Sequence, residues 1–334
     1  MEKMKVLLLT EKDIKPLLSM SEVMEAVEKA FREKGLGHVQ MPSKSYLHFE
    51  KYNGDLRSMP SYLERLDISA VKVVNSHPDN PTRFGLPTVM ATIVLVDPRN
   101  GSPLAVMSGT WITAMRTGAA GGIAARYLAR KDSQLVGLIG AGTQARTQLA
   151  ALLTLYKELE EVRVWSPTQV TREKYVFEMK AQYAEQAHIF TVNSARDAVE
   201  GADLVVTSTP SRKPIVSDKW VSPGTHITCV GADAAGKQEL DAAILRRAKI
   251  VVDDWEQGSH SGEINVPLTE GIITKEDIWG NICEIAAGLK LGRTDRNEIT
   301  VFTATGLAVQ DAVTAKLVYD KAVSKGEGQS VELM

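Results

Sequence analysis

The sequence has little cysteine, no strong excess of charge of either sign and no long apolar run. Its two cysteines, Cys229 and Cys283, lie far apart without C-x-x-C spacing, which excludes a disulfide scaffold and suits a reducing compartment. With 39 basic and 41 acidic residues the formal net charge is −2, so charge gives no reason to expect nucleic acid or an anionic membrane as a partner. No segment approaches the roughly 20 apolar residues of a membrane span, and the first apolar run is too short for a signal peptide. We therefore expect a cytoplasmic protein.

The 334 residues, 44% of them hydrophobic, are enough to form two domains. Near the N-terminus, Ser19 or Ser21 can cap a helix whose apolar residues fall on one face. From about residue 41 to residue 96, short β segments follow one another without helices, and Asn53-Gly54 indicates a hairpin. This part of the chain predicts an antiparallel or mixed sheet.

After residue 133 strands and helices alternate, which is typical of a parallel sheet covered on both faces. The predicted strands are QLVGLIG, EVRVWS, HIFTV, DLVVTSTP, THITCVG and AKIVVDD. The later segment TGLAVQDAVTAKLVYDKAV predicts an amphipathic helix, and SKGEGQS after it predicts a flexible end. Because no strand is predicted before that helix, we expect it to return to the first domain. The fold class is α/β, with domains at 126–306 and at 1–125 with 307–334.

A glycine-rich turn lies between the first predicted strand of the second domain and its helix. It reads GAGTQA, with Gly140 and Gly142 followed by Ala145. The first glycine permits a tight turn, the second lets backbone approach a pyrophosphate, and the small alanine lets helix pack on strand. The N–H groups of the helix N-terminus would bind the anion. This arrangement predicts a Rossmann dinucleotide-binding domain.

The second strand of that domain lacks the terminal acid that usually binds the ribose 2′-hydroxyl of NAD. It ends instead in Ser166, Pro167 and Thr168, with Arg172 a few residues later. Hydroxyl groups and an arginine can bind a 2′-phosphate, although Arg172 is equally well interpreted as a solvated helix residue. The pattern slightly favours NADP, and NAD remains the alternative.

One acid follows the predicted strand THITCV. Asp233 comes directly after Gly231-Ala232, at the same carboxyl edge of the sheet as the glycine turn. Acids at strand ends are often turn formers, but ligands of open parallel sheets bind at this edge. A carboxylate beside the cofactor could exchange protons with the substrate, so Asp233 is the candidate catalytic acid–base group.

Three cations of the first domain lie in apolar or small-residue surroundings. Lys72 interrupts the strand SAVKVVN; it either points to solvent or faces a polar cleft where it could polarise a carbonyl or imine. Arg57 lies in GDLRSMP, and Arg116 lies in the small-residue helix TAMRTGAAGG. An arginine fork is well suited to a substrate carboxylate.

Other chemistries find less support. His260 with Glu263 does not form H-E-x-x-H, so no metal site is expected. There is no G-x-S-x-G motif, and neither cysteine has a histidine at a reactive spacing, which argues against a hydrolase.

These features together resemble the ornithine cyclodeaminase/μ-crystallin family, and within it the archaeal alanine dehydrogenase branch. The ordered motifs are MPSKSYLHFE, GDLRSMP, VKVVNSHPDNP, GLPTVMATIVL, MRTGAAGGIAARYLAR, GLIGAGTQA, TSTPSRKP, GADAAGKQELD, VVDDWEQ and TGLAVQDA. The resemblance implies a homodimer in which the mixed-sheet domain binds substrate and dimerises. It implies Asp233 and Lys72 as catalytic groups and Arg57, Arg116 and Lys44 as substrate-binding groups. The implied cofactor-binding residues are Gly140, Gly142, Thr143, Gln144, Ser166, Thr168, Thr209 and Thr117.

Two departures bear on the substrate. Cyclodeaminases usually carry an acid where this chain has Arg57, and D-C-P-G-K where it has DAAGK. Because Arg57 would repel a distal ammonium group, we expect a small substrate whose main handle is its carboxylate. The expected reaction is reversible NAD(P)-dependent oxidative deamination of L-alanine to pyruvate and ammonia. The alternatives are reduction of a cyclic imine such as pyrroline-2-carboxylate, cyclodeamination of ornithine, and cofactor binding without turnover.

Overall fold

The structure is a computed structural model that describes residues 5–333 of the chain. The chain forms two compact units. One contains the residues up to Arg116 together with those from Leu307 onward, and the other contains Thr117–Gly306. The first unit ends inside a helix, whereas the predicted domain boundary at residue 125 lies further along the same helix.

The first unit is built on a mixed sheet. Its strands are β1 (Lys5–Leu9), β2 (Val39–Gln40), β3 (Ser45–Phe49), β4 (Gly54–Leu63), β5 (Ile68–Ser76), β6 (Val89–Val96), β7 (Pro103–Ser108) and β16 (Gln329–Glu332). They are ordered β16-β1-β7-β6-β5-β4-β2, and β3 pairs with β4. In the described part of the chain, β1 and β7 are the one parallel pair of this sheet, and its other pairs are antiparallel. The predicted hairpin joins β3 to β4, and Asn53 adopts the left-handed conformation that its turn requires (φ 46°).

Two long helices belong to this unit, and a third begins in it. The helices are α1 (Glu11–Ile14), α2 (Met20–Gly35), α3 (Asn80–Arg83), α4 (Thr110–Leu128), which continues into the second unit, and α12 (Ala308–Lys325). Ser19 caps α2 by accepting a hydrogen bond from the Glu22 amide, as its position before the apolar face predicts. The apolar face of α12 is buried, and Ala308 at its start packs on Met59 and Val74 of the sheet.

The second unit is built on a parallel sheet. Its strands are β8 (Leu135–Ile139), β9 (Glu161–Trp165), β10 (His188–Thr191), β11 (Leu204–Thr207), β12 (His226–Cys229), β13 (Ala248–Val252), β14 (Ile278–Asn281) and β15 (Ile299–Thr303). Their order is β10-β9-β8-β11-β12-β15-β13-β14, and every neighbouring pair is parallel. The chain runs outward from β8 to β10 on one side and then resumes at β11 on the other. The point where the order reverses, between β8 and β11, is where open sheets of this kind bind ligands.

Helices cover both faces of this sheet. They are α5 (Thr143–Leu155), α6 (Gln169–Tyr183), α7 (Ala195–Val199), α8 (Ala242–Arg247), α9 (Trp255–Ser261), α10 (Asn265–Thr269) and α11 (Ile282–Ala286). One apolar cluster includes Leu138 and Leu149, and a second, on the opposite face, includes Ile139 and Ile244. Apolar residues therefore face both ways from β8, as the continuous apolar run of that strand predicts.

Five strands depart from the sequence predictions. β1, β2, β14 and β15 were not predicted. β15 ends only a few residues before α12, so the premise that no strand precedes that helix was wrong. The helix nevertheless belongs to the first unit. The segment predicted to be flexible enters β16, which pairs antiparallel with β1, for example Leu8 with Gln329. Gly326 ends α12 in the left-handed conformation and directs the chain back to that edge.

Within residues 5–333, no helix is both long and apolar enough to cross a membrane.

Candidate active site

The predicted cofactor residues of the second unit lie at the carboxyl ends of adjacent parallel strands. The last residues of these strands are register neighbours, in the order Trp165, Ile139, Thr207, Cys229 and Thr303. The glycine turn follows Ile139 and Ser166 follows Trp165, while Thr209 and Asp233 come after the next two strands. The topology therefore brings these predicted residues to one edge of the sheet, although they are far apart in sequence.

The two glycines of the turn differ in what surrounds them. Gly140 has φ +109°, and a Cβ there would lie 2.8 Å from the Ser208 carbonyl oxygen. Gly142 is the N-cap of α5, and a Cβ on it would meet nothing within 4 Å. Arg146 fixes the turn, because its Nη1 donates to the carbonyl oxygens of Ala141 (3.0 Å) and Gly142 (2.9 Å). Gly140 is therefore required by the turn itself, whereas Gly142 faces open space.

The first turn of α5 fits a dinucleotide phosphate. Within residues 5–333 no side chain caps this helix, so its N-terminal amides and dipole are directed at the space beside Gly142. Thr143 is exposed next to that space. The buried Oε1 of Gln144 has no hydrogen-bond partner among the described residues. The carbonyl of Thr117 accepts a 2.9 Å hydrogen bond from Gln148, which ties α4 to α5 within this unit.

At the end of β9, Ser166 is buried and Thr168 is exposed. Arg172 donates from Nη1 to the Ser166 carbonyl oxygen at 3.0 Å. Arg172 is therefore not a freely solvated side chain, because its guanidinium supports the end of β9.

At the end of β12, Asp233 is partly exposed, with a third of its side chain accessible, and it forms an ion pair with Lys237. Thr209, at the end of β11, is held by the Glu239 carboxylate, to which both its amide (2.6 Å) and its hydroxyl (2.8 Å) donate. Neither Lys237 nor Glu239 was singled out from the sequence. Both lie in the quoted motif GADAAGKQELD, and the signal for Glu239 is an acid directly before the apolar Leu240.

The first unit contains a buried cluster of three charges. Lys72 on β5 and Asp311 on α12 form an ion pair at 2.7 Å, with side chains only 1% and 2% exposed. Arg116 on α4 contacts the other Asp311 oxygen through Nε at 3.0 Å, and its Nη1 donates to Oε1 of Gln310 at 2.8 Å. Lys72 therefore does not point to solvent, which removes one of its two interpretations.

Burial and charge act on Lys72 in opposite directions. Desolvation lowers its pKa most, the nearby Arg116 cation lowers it further, and the Asp311 carboxylate raises it, with a resulting pKa of about 7. Lys44, half-buried, adds a smaller lowering through its charge. Lys72 is thus poised to gain or lose a proton near neutral pH.

Arg57 lies on the same face of the sheet as Lys72. It pairs across the strands with Val74, while Met59, two residues further along β4, pairs with Lys72. Its guanidinium forms a bidentate pair with Asp55, at 2.8 and 2.9 Å. The positive charge that the sequence suggested for substrate selection is therefore balanced by a neighbour that the sequence interpretation overlooked.

Asp311 and Gln310 were also missed, although both lie in the quoted motif TGLAVQDA. Their position could have identified them, because they interrupt a run of buried apolar residues that extends from Leu307 to Val313.

Among the described residues, no group of three or more histidine, cysteine or acidic side chains is placed to hold a metal ion. His226 is a buried strand residue bonded to Thr300 and Thr228, and burial lowers its pKa to about 3.

Comparison with known proteins identifies the family. The sequence matches the ornithine cyclodeaminase/mu-crystallin family over residues 4–326. The chain belongs to this family. It is 50% identical to an alanine dehydrogenase of Archaeoglobus fulgidus over 329 residues, which span 98% of this chain and 99% of the relative.

Two solved structures of family members resemble the fold along nearly the whole chain. An archaeal alanine dehydrogenase dimer with bound NAD has a TM-score of 0.94 and 49% identity, and the match covers 99% of this chain and all of the other. A Thermococcus litoralis Δ1-pyrroline-2-carboxylate reductase, in complex with NADH and L-proline, has a TM-score of 0.94 and 46% identity, with 98% and 100% coverage. The α/β fold with a Rossmann domain is thereby confirmed. The comparisons give no support for the preference for NADP.

Proposed function

We propose that the protein is an alanine dehydrogenase, which interconverts L-alanine, water and NAD⁺ with pyruvate, ammonium, NADH and a proton. The observation that carries the proposal is the 50% identity with an alanine dehydrogenase along almost the whole of both chains. The charges of the first unit and the strand ends of the second supply the groups that this reaction needs.

The buried cluster suits a small carboxylate. Protonated Lys72, Arg116 and the Asp311 carboxylate together carry one net positive charge in a region from which water is largely excluded. A buried charge without a partner is costly, so a single substrate carboxylate would complete the cluster. Asp311 and Gln310 engage Nε and Nη1 of Arg116, and we assign Nη2 to the substrate.

Proton transfer is assigned to two groups. With a pKa of about 7, Lys72 is partly neutral at neutral pH, and in its neutral form it can accept a proton from the alanine ammonium group or from the attacking water. Asp233 is the second acid–base group, and Lys237 holds its carboxylate in place. When bound, NAD would accept the hydride from the Cα of the substrate. Gly140, Gly142, Thr143 and Gln144 are proposed to bind its pyrophosphate, and Thr117, Ser166, Thr168 and Thr209 to complete its site.

Two further assignments follow from the relatives. We propose NAD rather than NADP, because the similar structures hold NAD and NADH. We propose a homodimer, because the archaeal alanine dehydrogenase is a dimer. Lys44 and Arg57 are retained as candidate substrate contacts.

The second candidate function is reduction of Δ1-pyrroline-2-carboxylate. It is favoured by the 46% identity and equal TM-score of the Thermococcus litoralis reductase. Both reactions transfer a hydride to a carbon next to a carboxylate, so the same cation cluster would serve either. The cyclic imine needs no ammonia and no water attack.

Oxidation of NADH should be followed by absorbance with the purified protein. We expect oxidation that requires both pyruvate and ammonium, and NAD reduction with L-alanine in the reverse direction. Oxidation with pyrroline-2-carboxylate but none with pyruvate plus ammonium would overturn the proposal in favour of the second candidate.

Asp233→Asn tests the acid–base role assigned to Asp233. It keeps the size of the side chain but removes the ability to carry a proton, so turnover should fall by about 100-fold or more, in the range of general acid–base catalysis. NADH binding, measured by fluorescence titration, should stay within a few-fold of wild type. Loss of binding would mean that Asp233 has a structural role instead.

A further inference from the structure

Two buried carboxylates lie at the carboxyl edge of the parallel sheet, where the cofactor is proposed to bind, and the proposed chemistry does not use them. Glu239 and Glu263 are both completely inaccessible to solvent. Neither forms an ion pair with a lysine or arginine among the described residues. Buried acids without a cation are costly and are therefore rare unless hydrogen bonds hold them.

Four donors converge on the Glu239 carboxylate, two on each oxygen. Oε1 accepts from the amide and the hydroxyl of Thr209, at 2.6 and 2.8 Å. Oε2 accepts from the hydroxyl of Thr207 at 2.7 Å and the amide of Gly231 at 3.0 Å. One carboxylate therefore joins the ends of β11 and β12, from which the proposed cofactor residue Thr209 and the acid Asp233 follow.

Glu263 fixes Glu239 from the other side. Its carboxylate accepts from the amides of Glu239 (2.9 Å) and Leu240 (2.7 Å), and its own amide donates to the Thr303 hydroxyl at the end of β15 (2.9 Å). Burial raises the pKa of Glu263 well above its usual range, and the Glu239 charge raises it further. Burial raises the pKa of Glu239 as well, but its four hydrogen-bond donors lower it. Because Glu263 has no such set of donors and is raised further by the Glu239 charge, we assign the negative charge of the pair to Glu239 and the proton to Glu263.

The backbone around Gly231 is too closely packed to accept a side chain. A Cβ on Gly231 would lie 2.3 Å from the Thr209 carbonyl oxygen and 2.5 Å from Oε2 of Glu239. Asn265 holds the far side of the same loop, through hydrogen bonds with Gly236 and Lys237. The Asp233 loop is thus fixed at both ends by groups that do not themselves reach the solvent-accessible edge.

We propose that Glu239 is a positioning residue, which sets Thr209 for the cofactor and Asp233 for the substrate by bonding the ends of β11 and β12 to one carboxylate. Of the two parts of this inference, only the one about Asp233 and the substrate rests on the proposed function. The cofactor half concerns NADH binding and stands without any assumption about the amino acid.

The test is Glu239→Gln. A hydroxyl can rotate to accept, but a backbone N–H cannot, and each Glu239 oxygen receives one backbone N–H. Whichever oxygen becomes the amide nitrogen, the amide of Thr209 or of Gly231 then faces a donor. We expect the NADH dissociation constant to rise and kcat to fall, each by about tenfold or more, since charge-assisted hydrogen bonds are lost. The KM for L-alanine should stay within about threefold, because the proposed carboxylate contacts are in the first unit.

Glu298→Gln is the matched control. Glu298 lies before β15, at the amino edge of the same sheet, and accepts from Lys249 and from the amide and hydroxyl of Thr294. Its loss removes a similar set of bonds and lowers thermal stability, but NADH affinity and kcat should stay within about twofold of wild type. If the control impairs both as much as Glu239→Gln does, or if Glu239→Gln binds NADH and turns over like wild type, the proposal is wrong.

A milder variant covers the case in which Glu239→Gln does not fold. Thr207→Val removes one hydroxyl donor from Oε2 and keeps the side-chain volume. It should weaken NADH binding by a few-fold in the same direction; unchanged binding would contradict the proposal. If wild type binds NADH but does not oxidise L-alanine, the alanine assignment fails while the binding comparison still decides the role of Glu239.

Discussion

Lys72 on β5 and Asp311 on α12 could not be buried without each other. Each sits among apolar residues, Lys72 within β5 and Asp311 within the first turn of α12, and each removes the cost of burying the other. The pKa of the lysine is therefore raised by a residue 239 positions later in the chain (311 − 72), against the lowering by burial and Arg116. Lys72 could be predicted as unusual from its strand, but its partner and its pKa could not.

Asp311→Asn tests this dependence. Because the Asp311 charge raises the pKa of Lys72 and burial and Arg116 lower it, removing the charge should lower that pKa below its present value of about 7. If neutral Lys72 is the base for alanine oxidation, kcat/KM rises with pH through this pKa, and the acidic limb of the profile should move to lower pH in the variant. A limb that stays in place or moves to higher pH would remove Lys72 from the proton transfer.

Asp320→Asn on the same helix is the control. Asp320 is exposed and, among residues 5–333, its ion pair is with Lys316, so its loss should not move the profile. Thermal unfolding should also separate the two variants. Breaking a buried ion pair costs about 3–5 kcal/mol, whereas an exposed pair contributes about 1 kcal/mol or less.

At the scale of elements, local patterns predicted what depends on local sequence. The helix after Ser19, the hairpin at Asn53-Gly54 and the glycine turn before α5 are all present where the sequence placed them. β15 was missed because ITVFT is short and is directly followed by the loop ATG, and its neighbours β12 and β13 come from other parts of the chain. β16 was missed because its sequence, QSVE, has little β pattern and it is stabilised by pairing with β1.

The contact between α4 and α5 gives a prediction about single glycines. A Cβ on Gly118 would lie 2.4 Å from the backbone oxygen of Thr147 in α5, so the helices would have to separate. Overpacking of this kind costs about 1–3 kcal/mol, which exceeds the gain of up to about 1 kcal/mol from replacing a helical glycine by alanine. Gly118→Ala should therefore lower the unfolding midpoint, by about 2–4 °C for each kcal/mol lost.

Gly142→Ala is the comparison variant and should behave in the opposite way. Gly142 has an extended backbone conformation, and an added Cβ meets nothing within 4 Å, so stability should change by no more than about 0.5 kcal/mol. The methyl group would instead occupy the space assigned to the pyrophosphate, and the NADH dissociation constant should rise by about tenfold, or 1.4 kcal/mol. Unchanged NADH affinity would mean that the phosphate binds elsewhere.

For the whole molecule, the choice of dinucleotide can be measured without knowing the substrate. A ligand that binds only the folded protein raises its stability by RT ln(1 + [L]/Kd), which is about 2.7 kcal/mol at a concentration 100 times Kd. NADH and NADPH differ only in the 2′-phosphate, which would have to be received near Ser166 and Thr168. Arg172 is close to this position, but its Nη1 is already bound to the Ser166 carbonyl oxygen.

We therefore expect NADH to raise the unfolding midpoint more than NADPH does at equal concentration, in a thermal scan of the purified protein. Arg172→Ala separates the two explanations. If the arginine serves the strand end, the variant loses a little stability and keeps the preference for NADH. A larger shift with NADPH in wild type, abolished in Arg172→Ala, would instead establish the arginine as a 2′-phosphate ligand and overturn the assignment of NAD. Because the measurement reports binding alone, it holds whether the reduced product is alanine or a cyclic amino acid.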